Sequence, residues 1–230
     1  MNITRDELFR VVCLIVTPTN GKCGTGCFVS HEGRCYLVTA THVKNDVDVS
    51  TIIVFGDVNN KSYTDVLASI KNGDWKSHSI ADLSVIELNI TKLSQHYSGR
   101  FLPSNEVFTD FSLSRDIELT VTGFPRGLGT ALTGSAHFSP FTFRSYPSSN
   151  IITLNRADTN TPCDFYCLEN PSMGGYSGGP VFDLGYLKTP LMTQNYGATL
   201  VKGFVHGTMS DNTGGKIALI TPAKYLFDIL

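Results

Sequence analysis

Along most of the chain, apolar residues arrive in short runs rich in Val, Ile, Leu and aromatic side chains, cut apart by Gly, Asn, Asp, Ser and Pro. Short β-rich runs with turn formers between them predict strands. Six runs fall in the first half, at 11–17, 26–30, 35–39, 49–55, 63–71 and 82–88. Six more fall in the second, at 116–122, 130–136, 150–154, 179–183, 200–206 and 216–221. In 49–55 one parity holds Val49, Ile53 and Phe55 and the other Ile52 and Val54, the mark of a strand buried on both faces. Residues 89–115, mixing Ser, Pro and both charges, connect the halves. The pattern predicts an all-β fold of two six-stranded antiparallel barrels within one domain, the first over 1–100 and the second over 101–230.

Helical signals stand only at the ends. Thr4-Arg5-Asp6-Glu7 reads as a capping box, a hydroxyl followed three residues later by a carboxylate, and predicts a short N-terminal helix. Thr221-Pro222 ahead of Ala-Lys-Tyr-Leu-Phe-Asp-Ile-Leu predicts a short C-terminal helix closing a barrel end.

Composition narrows the function. Of 230 residues, 41% are hydrophobic and 17% charged, enough to build a core and too apolar for wholesale disorder. Net charge is 18 − 20 = −2 with no run of Lys or Arg, which argues against nucleic acid as a partner. The longest apolar run, Val11 to Val16, falls far short of the ~20 residues that span a bilayer, so no membrane is expected either. Met1 to Glu7 lacks the basic and apolar stretches of a secretory signal, so a cytoplasmic location is expected. Cys13, Cys23, Cys27, Cys35, Cys163 and Cys167 are then expected as reduced thiols. Cys23, Cys27, Cys163 and Cys167 could together offer zinc four ligands, but three-residue gaps suit zinc only loosely, and neither metal nor cofactor is expected.

The chemistry concentrates in Met173-Gly-Gly-Tyr-Ser177-Gly-Gly-Pro180. A serine framed by glycines suggests a nucleophile on a tight turn with backbone N–H groups free to bind an oxyanion. Such a serine needs a base. Of six histidines (His31, His42, His78, His96, His137 and His206), His42 stands just past the apolar run Tyr36 to Thr39, where a loop can present it to a cleft. The base needs a carboxylate to fix its tautomer. Asp82, at the mouth of the apolar run Leu83 to Leu88, is costly there without a partner.

Thr39-Ala-x-His42, Asp82-Leu-x-Val-Ile86 and Gly175-x-Ser177-Gly-Gly-Pro180, in that order, resemble the chymotrypsin/trypsin-like serine peptidases. Gly24-Thr25-Gly26, the segment Val121 to Gly129, and Ala218 to Pro222 bring the resemblance closest to bacterial Deg/HtrA-type peptidase domains, over about residues 8–228. The resemblance implies a chymotrypsin-like double barrel and a serine endopeptidase acting on protein or peptide substrates through an acyl-enzyme. It makes His42 the general base and acid, Asp82 its orienting partner and Ser177 the nucleophile, with the N–H groups of Gly175 and Ser177 as the oxyanion hole.

The departures carry information too. Tyr176 stands where secreted relatives have an aspartate, and no Ile-Val-Gly-Gly-like start is visible, so activation by zymogen cleavage is not expected. The enzyme is then either ready on folding or switched by a regulatory protein partner. Val43 stands where a disulfide would brace the histidine loop, and peptide capture by the PDZ module usual in Deg/HtrA-type proteins is not expected. Pro171, six residues before the serine, replaces the acidic floor of a trypsin-like pocket, so cleavage after Lys or Arg is not expected. Val205, His206, Gly207 and Thr208 match the strand that pairs with substrate and walls the primary pocket. His206 suggests an acidic substrate residue, although the family's pocket histidine falls nearer Val205, and a small or medium uncharged residue is the main expectation. Leu184 to Thr199 has no counterpart and reads either as a docking or regulatory loop or as an ordered insertion.

Two rival readings remain. Gly-x-Ser-x-Gly also describes an α/β-hydrolase elbow, but that elbow must open a helix, and Gly178-Gly179-Pro180 leaves no room for one. The other is a catalytically silent double barrel serving as a peptide-binding or scaffolding module.

Overall fold

In the strand Val12–Thr17 (β1), Val12 and Leu14 join one apolar cluster while Cys13 and Ile15 join another. The computed structural model describes all residues except 1, 94–96, 98, 109, 135, 136 and 157. The same division repeats in β2 (Lys22–His31), where Cys27 and Val29 face one way and Phe28 the other, and in β3 (Arg34–Thr39), where Val38 opposes Leu37. A period of two with both faces buried needs an apolar body on each side. One cluster (Cys13, Ile15, Phe28, Leu37, Ile53, Phe55, Ile86) fills the first barrel. The other reaches across to Phe124, Phe165, Phe182 and Phe204 of the second half and welds the two halves together.

The first sheet continues with β4 (Ile52–Gly56), β5 (Ser62–Val66), β6 (Lys71–Ser77), β7 (Ser84–Leu88) and β8 (Leu102–Pro103). Its order is β5-β4-β1-β2-β3-β7-β6, with β8 running parallel to β2. The second contains β9 (Leu119–Gly123), β10 (Phe141–Ser145), β11 (Ile152–Asn155), β12 (Pro162–Leu168) and β13 (Pro180–Asp183). A hairpin of β14 (Tyr186–Lys188) and β15 (Thr193–Asn195) stands apart, before β16 (Leu200–Ser210) and β17 (Lys216–Pro222) complete the sheet in the order β10-β9-β13-β16-β17-β12-β11. Val121, Tyr166, Val181, Val205 and Ile220 fill this second barrel. The two-barrel architecture expected from the pattern is present; among the described residues, strands form within each expected run except 130–136, and β6, β8, β10, β12, β14 and β15 are added.

Some expected runs differ. Residues 63–71 split, because Leu67 and Ile70, three apart, both turn into the first barrel, as one helical turn allows and a strand does not. Val49 lies outside the barrel at 84% exposure, and β4 begins only at Ile52. Of 130–136, residues 135 and 136 lie outside the described set, and Ala131–Thr133 is a 3-10 turn. The hydroxyls of Thr130 and Thr133 both donate to the carbonyl of Gly127, local bonds that compete with sheet pairing.

Both terminal helices are 3-10. Glu7 accepts from the Thr4 N–H at 3.0 Å and hydroxyl at 2.8 Å, so the capping box forms at Arg5–Arg10. The C-terminal turn, Ala223–Asp228, bridges the barrels rather than closing one. Tyr225 donates to Asp164 of β12 at 2.8 Å, and His78, just past β6, meets Asp228 at 3.1 Å. The segment 184–199 clasps the N-terminus at its root, with Ile3 N–H on the Thr199 hydroxyl (2.8 Å) and Arg5 N–H on Tyr186 Oη (3.0 Å). Among the described residues, no helix is long and apolar enough to cross a membrane.

Candidate active site

β3 ends at Thr39, and a single helical turn, α1 (Thr41–Asn45), presents His42 at its start. Asp82 follows the turn leading into β7 and is 1% exposed. The His78 imidazole accepts the Ala81 N–H at 2.8 Å through Nδ1, so its Nε2 carries the proton given to Asp228. That pair holds the turn in front of Asp82.

Four donors converge on the Asp82 carboxylate. His42 gives its backbone N–H to Oδ1 (3.0 Å) and its Nδ1 to Oδ2 (2.7 Å). His206 gives Nδ1 to Oδ2 (2.6 Å), and Arg156 gives Nη2 to Oδ1 (3.0 Å). A carboxylate offers about four lone-pair sites, so this one is saturated. Burial by itself would raise the Asp82 pKa, but the bonds from His206 and His42 and their charges hold it well below the usual carboxylate range. Because a carboxylate only accepts, the His42 proton sits on Nδ1 and the neutral ring keeps Nε2 as its basic atom. Burial pulls the His42 pKa down, yet the Asp82 bond and charge outweigh it and raise it above 6.5; Asp158 adds to that and Arg156 subtracts.

Ser177 sits on the turn that enters β13. Its carbonyl accepts the Thr25 N–H at 2.8 Å, and Gly178 packs so closely that a Cβ there would lie 2.3 Å from Thr39 Oγ1 and 2.8 Å from Ala40 N. The serine turn therefore abuts the residues just before His42. Gly175 has φ +102°, and a Cβ would lie 2.2 Å from the Phe124 carbonyl, so only glycine fits. The Gly174 carbonyl is pinned by Arg126 N–H (2.8 Å) and the Gly175 carbonyl by the Thr25 hydroxyl (2.7 Å). In a trans peptide C=O and N–H point oppositely, so the first bond aims the Gly175 N–H away from Arg126. Among the described residues neither Gly175 N–H nor Ser177 N–H has a partner in the chain. Tyr176 is buried in the second barrel with its ring 5.2 Å from Phe143.

The Ser177 hydroxyl donates to the His206 carbonyl at 3.1 Å. The β16–β17 register jumps from Val205↔Ile220 to Gly207↔Leu219, leaving His206 as the extra residue of a bulge. Bulges re-aim side chains. Here Val205 points into the barrel core, while the His206 ring lies 5.5 Å from His42 and 4.9 Å from Phe165. His206 is thus placed on Asp82, and Val205 is 1% exposed. Pro171 is exposed beside Ser172, whose carbonyl accepts the Thr208 hydroxyl at 2.7 Å, and Gly207 is partly open.

Sequence reasoning missed Arg156 and the position of His206 beside Asp82. A lone arginine in a hairpin turn carries no pattern, and a bulge cannot be read from period-two alternation. His42, Asp82 and His206 are donor types that a divalent cation takes, with ligand atoms within 4.8 Å of one another. Both Nδ1 atoms already donate to one carboxylate oxygen, however, and the Arg156 cation occupies the other, so the set is poorly suited to a metal. All six cysteines are free, and among the described residues they form no ligand cluster.

Residues 24–186 match the family model of the trypsin-like peptidase domain. No curated protein matches the chain. Among solved structures, the active form of the Rv3671c protease from M. tuberculosis is similar, at 19% identity and TM-score 0.60, over 97% of this chain and 80% of that one. The HtrA-type protease AlgW, solved with a tripeptide, is 19% identical with TM-score 0.58, over 97% of this chain, which spans only 60% of it. Human heparin binding protein shares the fold at 14% identity and TM-score 0.55, over 98% of this chain and 93% of that one.

Proposed function

We propose that this chain, which belongs to the trypsin-like peptidase domain family, is a serine endopeptidase that cleaves peptide bonds with His42, Asp82 and Ser177. The observation that carries the reading is the His42–Asp82 pair at 2.7 Å, set beside a glycine-framed Ser177 whose turn packs on Ala40. Rotation of the Ser177 side chain would transfer its hydrogen bond from the His206 carbonyl to His42 Nε2, a tightening common when substrate enters a free site. Ser177 Oγ then bonds to the scissile carbonyl carbon as its proton passes to His42 Nε2. The oxyanion is held by the N–H groups of Gly175 and Ser177. Collapse breaks the C–N bond, and the leaving amine takes the proton from His42. Water, deprotonated by His42, hydrolyses the resulting ester and returns the proton to Ser177.

Substrate backbone would align along Gly207 and Thr208, with Pro171 near the primary pocket; Val205, 1% exposed and facing the barrel core, does not form its open wall. The absence of an acidic floor favours a small or medium uncharged side chain there. Since the His206 Nδ1 is committed to Asp82, an acidic preference has no support from that atom. Tyr176, packed on Phe143, offers no carboxylate to a newly cut N-terminus, which supports activity without zymogen cleavage. The free thiols support a reducing, cytoplasmic setting.

One observation favours a silent binding module instead, namely the Ser177 hydroxyl resting on His206 rather than on His42. Turnover of casein decides between them: an enzyme hydrolyses it and loses that activity in His42→Ala, whereas a binding module shows no turnover in either protein.

A further inference from the structure

Asp82 belongs to the first barrel, yet two of its four donors come from the second. One is Arg156, which follows β11 and starts the turn into β12. Its N–H donates to the Thr161 carbonyl and its carbonyl accepts from Asn160, both at 2.9 Å, so its backbone is fixed. The side chain, 4% exposed, reaches across the barrel interface. Nη2 donates to Asp82 Oδ1 (3.0 Å) and to Asp158 Oδ2 (2.6 Å), Nε to Asp158 Oδ1 (2.9 Å), and Nη1 to the Ile80 carbonyl (3.2 Å).

A buried cation is tolerable only when fully paired, and every nitrogen of this guanidinium has an acceptor. The planar fork permits it, since one face grips Asp158 in a bidentate pair while another hydrogen remains for Asp82. Lysine, a single point on a flexible stem, could not hold the same geometry to both carboxylates. Nothing in the hydrolytic steps uses an arginine. Its geometry fits a latch that joins the turn of one barrel to the orienting carboxylate of the other.

We propose that Arg156 is a positioning residue: braced by Asp158, it keys the start of β12 in the second barrel onto Asp82, so that His42 is oriented for catalysis only when the two barrels are docked. The proposal rests on the peptidase reading for its effect on rate, but not for the latch itself. The charged and titratable groups around His42 are Asp82 from the turn before β7, Arg156 and Asp158 from the turn before β12, and His206 from β16. The two carboxylates favour the imidazolium, and Arg156 opposes it.

The test compares the full chain with Arg156→Gln and Arg156→Lys. The His42 ring is titrated by NMR, and peptide hydrolysis gives kcat and KM. In Arg156→Gln the lost opposing charge raises the His42 midpoint while the loosened Asp82 contact lowers it, so kcat is the readout for this variant. In Arg156→Lys, which keeps the charge and loses the fork, the loosened Asp82 contact should lower the midpoint. In both, kcat should fall at least tenfold with KM unchanged. A folded Arg156→Gln variant with full kcat would overturn the proposal. So would an Arg156→Lys variant with full kcat, which decides the matter if Arg156→Gln does not fold. The shifted midpoint without any peptide hydrolysis in the parent would leave the latch standing and sink the peptidase reading.

Discussion

The hydroxyl of Ser177 rests on the carbonyl of His206 at 3.1 Å, while the imidazole of that same residue holds Asp82 at 2.6 Å. One bulged residue of β16 thus touches both Ser177 and Asp82, the proposed nucleophile and the proposed orienting carboxylate. Its side chain donates a hydrogen bond to a buried charge, a contact worth roughly 1.5–3 kcal/mol. His206→Leu deletes that donor and should lower kcat about 10–100-fold. His206→Asn places an amide N–H near the same point and should recover most of the loss. Steady-state kinetics of the two variants on one peptide checks this, and equal loss in both would show that the donor is not what matters.

Gly175 should tolerate no side chain. Its positive φ and the Phe124 carbonyl, 2.2 Å from where a Cβ would stand, force the 174–175 peptide to move in Gly175→Ala. Losing one oxyanion donor typically costs ~2.7–4 kcal/mol in the transition state. The expected result is a kcat fall of about 10²–10³ with KM little changed, and circular dichroism should report the parental fold.

The raised pKa of His42 gives a pH prediction with a definite sign. The base acts only when neutral, so the acid limb of kcat/KM should have its midpoint above the ordinary imidazole value of 6.5. For stability, a raised folded pKa means that protonation favours the fold. This contribution is complete below 6.5 and is lost as pH climbs through the folded value. Urea denaturation across that window should show the corresponding slope in the parent and its loss in His42→Ala.

Much of this was readable from the chain itself. Val12, Cys13, Leu14 and Ile15 are apolar on both parities because one face fills a barrel and the other the interface between barrels. The segments carrying His42, Asp82 and Ser177 were legible because each couples a chemical group to its own backbone setting: a strand end, a strand mouth and a glycine turn. Other features depended on distant contacts. β12 begins with a proline and carries Asp164, whose partners Lys224 and Tyr225 lie far along the sequence. Leu67 and Ile70 form a helical turn because the barrel draws both inward. Arg156 acquires its meaning only through Asp82, 74 residues earlier, and His206 through a register jump that alternation does not encode.

The central claim is that Ser177 is a nucleophile activated by His42, and covalent capture tests it most directly. The purified chain is exposed to a fluorophosphonate, and the adduct is located by peptide mass spectrometry. One phosphonyl group should appear on the peptide bearing Ser177, none in Ser177→Ala, and a rate at least a thousandfold lower in His42→Ala, in line with what single triad members contribute. An unmodified Ser177 in the parent chain, or equal labelling of the parent and His42→Ala, would contradict the account.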